Sequence, residues 1–169
     1  MNKLSSSVSR RYQEILQVTD WEIATPYGWS DISHVMKTVP YQVYRVEFFD
    51  GLFIEGADTH IVMNSYEEEV FLKDCLPGDL ILSKNGISIV SDVFPLKRKE
   101  EMFDLDINDH KHIFYTNGIV SHNCVVGETK IIIKDENSED KEERSISIEE
   151  LYNNQLLINN DEEEEDSNV

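Results

Sequence analysis

The chain has 169 residues, 40% hydrophobic content and a net charge of −19, which suits one domain with tails and a modest core and excludes the nucleic-acid backbone as a partner. No apolar run approaches the roughly 20 residues of a membrane-spanning helix, and nothing at the start resembles a signal peptide, so no membrane partner is expected. Two cysteines, Cys75 and Cys124, are too few for a disulfide scaffold and imply a reducing, cytoplasmic setting.

The acid is uneven. Residues 124–169 carry 15 Asp and Glu against 4 Lys and Arg, a net of −11, whereas the longer stretch 1–123 carries 19 against 11, a net of −8. Residues 1–12 are polar and Ser-rich, which predicts a frayed end. A strand is expected over 14–18, and Thr25-Pro26-Tyr27-Gly28-Trp29 has turn chemistry. Residues 41–49 are rich in β-branched and aromatic side chains; Asp50-Gly51 then turns the chain into 52–55, a β-hairpin. A short strand is expected over 60–63, one or two helical turns over 67–76, a stop at Pro77-Gly78-Asp79 and a strand over 80–82. Cys75 lies among Leu72, Leu76 and Leu80 and reads as a small core residue.

Residues 87–93 alternate as a half-buried strand. Residues 97–101 are charged and read as a solvated face or turn. Strands follow over 102–107 and 112–115, and Asn117-Gly118 makes a tight turn into Ile119-Val120. A strand is expected over 130–134 and a charged loop over 135–144. Residues 145–148 alternate again, and Ser147 can cap one helical turn through Tyr152. The end, 159–169, contains six consecutive acids and reads as disordered. Many short strands with closely spaced turn signals predict an all-β fold with little helix. No CxxC pair, metal-spaced set or Gly-rich phosphate loop is present. His110 and His112 alternate but lack further ligands, so neither a metal nor a cofactor is expected.

The chemistry concentrates at His122-Asn123-Cys124. An Asn side-chain nitrogen can attack the Asn carbonyl and release the next residue. A Cys thiol can attack the carbonyl before it and convert the amide to a thioester. The Asn123–Cys124 bond is therefore flanked by two nucleophiles, each able to break it intramolecularly. A tripeptide by itself is weak, and the surrounding blocks carry the weight.

Those blocks resemble the inteins, the self-splicing elements whose fold is shared by hedgehog autoprocessing domains. Met102-Phe103-Asp104-Leu105-Asp106-Ile107, then His112-Ile113-Phe114-Tyr115-Thr116-Asn117-Gly118-Ile119-Val120-Ser121-His122-Asn123, is similar to their C-terminal blocks. Cys124-Val125-Val126-Gly127-Glu128-Thr129 resembles their opening block. The stretch 51–63, with His60, resembles the block that normally reads Thr-x-x-His, and Leu76-Pro77-Gly78-Asp79 a further family turn. Two departures stand out. Ala57-Asp58-Thr59-His60 lacks the usual hydroxyl, so Asp58 or Thr59 substitutes for it, or His60 acts without it. The order is also reversed, because the opening block follows the closing one.

The resemblance implies an all-β, horseshoe-like Hint fold. It divides the chain into a closing fragment, 1–123, and an opening fragment, 124–169 with its acidic tail, which together make one Hint domain. This is the arrangement of a circularly permuted or fused split intein, similar to atypically split inteins of phage genes, which implies a bacterial host. By the matched positions, Cys124 is the nucleophile and His60 protonates the departing amide nitrogen. Asp104 assists proton transfer and Asn123 cyclises to a succinimide. His122 and His112 polarise the Asn123 carbonyl and move protons. The reaction is a single-turnover self-cleavage or splicing rather than a turnover enzyme. The expected partners are flanking extein segments or a complementary intein fragment, with the domain itself a monomer. The alternatives are a cysteine hydrolase acting on an external substrate through Cys124 with His60 or His112, a hedgehog-like autoprocessing domain acting without ligation, and an acidic interaction module without chemistry.

Overall fold

A computed structural model describes residues 11–122, 124–140 and 142–167 of the chain. The all-β expectation holds. Among the described residues fifteen strands belong to one antiparallel sheet system, and the single α-helix is last. The first strands are β1 (Tyr12–Gln17), β2 (Trp21–Thr25), β3 (Gly28–Thr38), β4 (Tyr41–Phe48) and β5 (Phe53–Gly56). Next come β6 (Ile61–Met63), β7 (Glu69–Phe71), β8 (Leu80–Ser83), β9 (Gly86–Glu100) and β10 (Met102–Ile107). The last are β11 (Phe114–Thr116), β12 (Ile119–His122), β13 (Val125–Val126), β14 (Lys130–Asp135) and β15 (Arg144–Ser147), before helix α1 (Ile148–Ser167).

Neighbours run β15-β14-β2-β3-β10-β13-β5-β4-β9-β8-β12-β6-β7, with β1 added on β3 and β11 on β12. Two long strands change partners along their length. The first half of β3 pairs with β2 and its second half with β1 and β10. The first part of β9 pairs with β8 and the rest with β4. A strand that changes partner midway bends the sheet and lets its two ends face different layers.

The hairpins follow turn chemistry. At Asp50-Gly51, Gly51 has φ +90°, and at Asn117-Gly118 both residues have positive φ, 49° and 81°. Such turns match the right-handed twist of paired strands, and Asn-Gly tolerates them. The core is aliphatic, with Ile23, Ile54, Ile61, Leu72, Ile81, Phe114, Ile119, Ile131 and Ile133 fully buried. Cys75 is also buried there, and burial pushes its thiol up to about 12. It is an inert core residue, as its apolar neighbours in sequence suggest.

Several local expectations need correction. The segment 67–76 is not a helix: it forms β7 and then a single 3-10 turn, Leu72–Asp74. The reason is pairing, since Glu69, Val70 and Phe71 take the free edge of β6. Of the two readings of the charged stretch 97–101, the solvated face holds and the turn does not: Lys97, Arg98 and Lys99 are exposed on the end of strand β9, which pairs with β4. The acidic end is not disordered through residue 167. Helix α1 starts at Ile148, where the Ser147 hydroxyl accepts the Glu150 N–H, and it runs through the six acids. Its first turns bury Ile148, Leu151, Tyr152 and Gln155, a spacing of three and four residues that makes one face. The predicted frayed segment 1–12 falls mainly on residues 1–10, which lie outside the described residues, as do 168 and 169. Among the described residues no helix is long and apolar enough to cross a membrane.

Candidate active site

Strand β12 ends at His122 and β13 begins at Val125, so the sheet holds both sides of the segment of interest. Asn123 lies outside the described residues. Cys124 is fully buried, in a small cluster with Val43, Ala57, Met102 and Val126 that is separate from the main core. Its carbonyl accepts the Ala57 N–H at 3.2 Å. The residues after it are clamped between two strands: Val125 faces Phe103 of β10 on one side and Gly56 of β5 on the other. Running the β10 register one residue further sets Asp104 opposite Cys124, because antiparallel partners advance in opposite directions.

Asp104 is 7% exposed. One carboxylate oxygen accepts the Tyr12 hydroxyl at 3.2 Å, and the other accepts the Leu105 N–H at 2.8 Å. His60 is fully buried. Its N–H donates to the Ala57 carbonyl at 3.0 Å and its carbonyl accepts from Leu72, which ties it into the tight turn between β5 and β6. The meeting point of His60 and Cys124 is Gly56. A Cβ there would lie 2.8 Å from the Cys124 carbonyl oxygen and 3.1 Å from the His60 Cβ. The absent side chain is what lets the imidazole-bearing turn close on the cysteine backbone.

His122 is 7% exposed and its Nε2 lies 3.3 Å from a Glu69 carboxylate oxygen. His122 pairs with Ile61, and Ile61 pairs in turn with Phe71. Glu69 is two residues from Phe71 and so shares its face. The short hairpin of β6 and β7 therefore carries Glu69 to His122, while the turn that precedes it carries His60.

Four of the six residues singled out in the sequence thus cluster in the structure: Cys124, Asp104, His60 and His122. His112 stands elsewhere. It is in a left-handed conformation, φ 53°, with its side chain 55% exposed and its Nδ1 3.7 Å from Asp106. Asp106 also faces His34 at 3.6 Å. Three participants escape the sequence reading. Glu69 sits in a run of acids that looks helical, Gly56 in an ordinary strand, and Tyr12 in a segment that looks frayed. Only the strand-favouring pair Val70-Phe71 hints at a strand.

Gly127, three residues after Cys124, is required by close approach rather than by backbone conformation. A Cβ there would meet the Glu149 Oε2 at 2.6 Å and the Glu149 Cβ at 2.9 Å.

No family model matches the sequence, and no curated protein is similar to it. Solved structures do share the backbone. The VidaL intein is 25% identical with a TM-score of 0.57, over 61% of this chain and 70% of that one. The DnaB intein from Synechocystis sp. PCC 6803 is 23% identical with a TM-score of 0.56, over 63% of this chain and 81% of that one. A consensus engineered intein (Cat) with an atypical split site is 23% identical with a TM-score of 0.54, over 67% and 91%. The mostly antiparallel sheet, closed by one helix at its end, therefore goes with the Hint-type fold seen in inteins.

Proposed function

We propose that the chain is a self-processing domain of the intein type, in which 1–123 is the closing fragment and 124–169 the opening fragment of one Hint domain. The observation that carries this reading is the placement of Cys124: buried, one residue before the strand that pairs with β10, and joined to the His60 turn over Gly56. In the sheet, β13 lies between β10 and β5 of the first fragment, and β14 adds to the edge of β2 with β15 beyond it, so the second fragment completes the sheet of the first. The atypical split site named for the Cat intein supports the unequal division. Phage origin, a monomeric domain, and flanking segments or a complementary fragment as partners belong to the same proposal.

The chemistry follows from the residues. The Cys124 thiol attacks the Asn123 carbonyl carbon. A C–S bond forms, the C–N bond breaks, and the Cys124 nitrogen takes up a proton supplied through His60. Asp104, across the strand, assists that transfer. In the second route the Asn123 side-chain nitrogen attacks the same carbonyl and forms a succinimide, releasing the Cys124 amine, with His122 moving the proton. Each positioned acid–base group is typically worth about 10²–10⁴-fold in rate. His112 receives no step in this scheme, being exposed and turned toward Asp106, 3.7 Å from its Nδ1. Ala57 stands where the family's hydroxyl is usual, and beside it the Asp58 side chain accepts the Thr59 N–H. A hydrolase acting on an external substrate is disfavoured, because a fully buried Cys124 offers no surface for one.

The test is a short cargo peptide inserted between Asn123 and Cys124. Release of the cargo as a cyclic peptide, followed by intact mass, supports the proposal. Without cargo, the 19.6 kDa chain should convert over days to two pieces cut at Asn123–Cys124. Indefinite survival of the uncut chain with added thiol would count against it.

A further inference from the structure

We infer that Glu69 is a positioning residue for His122, accepting the Nε2–H hydrogen bond and so committing Nδ1 to the Asn123–Cys124 bond. This rests on the self-processing reading above. The two side chains meet at 3.3 Å, with only 9% and 25% of their surfaces exposed, so the contact is not a solvent-loosened surface pair.

The chemistry of the pair fixes the roles. A neutral imidazole has one donor and one acceptor nitrogen, and an ionised carboxylate only accepts. Against Glu69, Nε2 must be the donor, which leaves Nδ1 with the lone pair. In succinimide formation one proton leaves the Asn123 side-chain nitrogen and one arrives on the departing Cys124 nitrogen. Nδ1 takes the first and returns it as the second, so the step is proton-neutral. While the ring carries both protons it is an imidazolium facing a carboxylate, the arrangement by which an acid orients and supports a histidine in hydrolase triads.

The fold makes the pairing a property of one hairpin. His122 is on the same rung as Ile61 and Phe71, and Glu69 is one same-face step along β7. The turn carrying His60 leads into the same hairpin. One short element thus serves both sides of the bond: His60 toward Cys124 and Glu69 toward His122. Glu69 touches neither reacting atom, so its effect passes through the ring.

The experiment uses the full chain. In an Asn123→Ala, Cys124→Ala background that cannot cut itself, histidine is labelled with nitrogen-15 and the His122 signals are assigned by their loss in His122→Gln. The expected result is a His122 protonated on Nε2, a loss of that preference in Glu69→Met, and its retention in Glu69→Gln, whose amide oxygen still accepts. In chains that keep Asn123 and Cys124, the two cleavage routes leave different ends. The succinimide-ended piece is one water lighter than the free acid left by the thioester route. Glu69→Met should slow the succinimide route on the order of 10²-fold, the lower end of what a positioned acid–base group contributes, and leave the thiol-dependent route unchanged. Glu69→Gln should restore most of the rate. A native His122 protonated on Nδ1, a tautomer indifferent to Glu69→Met, or equal slowing of both routes would each overturn the inference; the first needs no Glu69 variant to fold. A chain that never cleaves removes the self-processing reading instead, and the tautomer measurement still decides the role of Glu69.

Discussion

Gly56 shows how narrow the tolerances are at single positions. Its backbone has no left-handed requirement, yet a Cβ would come within 2.8 Å of the Cys124 carbonyl oxygen, a backbone atom that cannot step aside alone. Gly56→Ala should therefore shift β5 against β13 and displace His60 from Cys124. Misplacement on the scale of an ångström can cost about 10²-fold in rate, so thiol-dependent cleavage followed by intact mass should slow by roughly that factor. An unchanged rate would show that the contact does not position the site. The two cysteines make the complementary contrast. Cys75 is buried among apolar side chains with its thiol pushed up to about 12, and it faces the acids Asp79 and Asp74. Cys124 is equally buried but sits where three strands and the His60 turn converge. Burial does not separate an inert thiol from a proposed nucleophile; neighbours do.

At the scale of elements, the seam between β2 and β14 carries an acid cluster with a pH consequence. Glu22, Asp31 and Glu136 bring carboxylate oxygens within 4.8 Å of one another. A side-chain hydrogen bond with Asp31, with burial and the charges of Asp31, Glu22 and Asp20 behind it, pushes Glu136 up to about 7 from its ordinary 4.5. The folded state thus holds a proton on this group that the unfolded chain has released. The associated stability is complete below about pH 4.5 and is lost as pH rises through about 7. Glu136→Gln mimics the protonated form. Its thermal midpoint should exceed that of the parent at pH 8 and match it near pH 4.5, as measured by melting curves across that window. An equal effect at both pH values would mean that the cluster does not titrate in this way. Helix α1 makes a second point at this scale. Its apolar face docks on the sheet, with the Phe103 and Tyr152 rings 5.3 Å apart. That docking supports a helix whose continuation, residues 161–166, is wholly acidic and opposed by its own macrodipole at the C-terminal end.

For the whole molecule, the question is whether 124–169 can stand apart from 1–123. Alone, β13, β14 and β15 have two, six and four residues, and the helix loses the surface it docks on. Such pieces do not bury enough apolar area to fold. Produced separately, 124–169 should give the far-UV spectrum of an unfolded chain, and mixing with 1–123 should restore ordered structure. Trp21 and Trp29 both belong to the first piece, and Trp21 pairs with Asp135 of the second, so tryptophan fluorescence reports the docking. Both pieces are acidic, −8 and −11, so their encounter is repulsive at long range and salt should speed it by screening. Association that slows with salt would point to attractive steering between the two pieces. No association at all would remove the two-fragment division.

Much of this is written along the chain. Alternation over 87–93, the Asp50-Gly51 and Asn117-Gly118 turns, and the many short strands specify an antiparallel all-β fold, because strand period and turn conformation are local properties. The adjacency of His122, Asn123 and Cys124 is likewise plain, since their chemistry needs only neighbouring residues. The rest depends on which strands lie side by side. Residues 67–71 look helical until β6 offers an edge, and the acids of 161–166 look unstructured until the first turns of α1 dock. The meeting of Glu69 with His122, 53 residues apart, of Gly56 with Cys124, and of the strand that carries Asp104 with the strand that follows Cys124 is set by register. Register is fixed by long-range pairing and packing, to which local periodicity is blind; only the tertiary structure could decide which carboxylate meets which histidine.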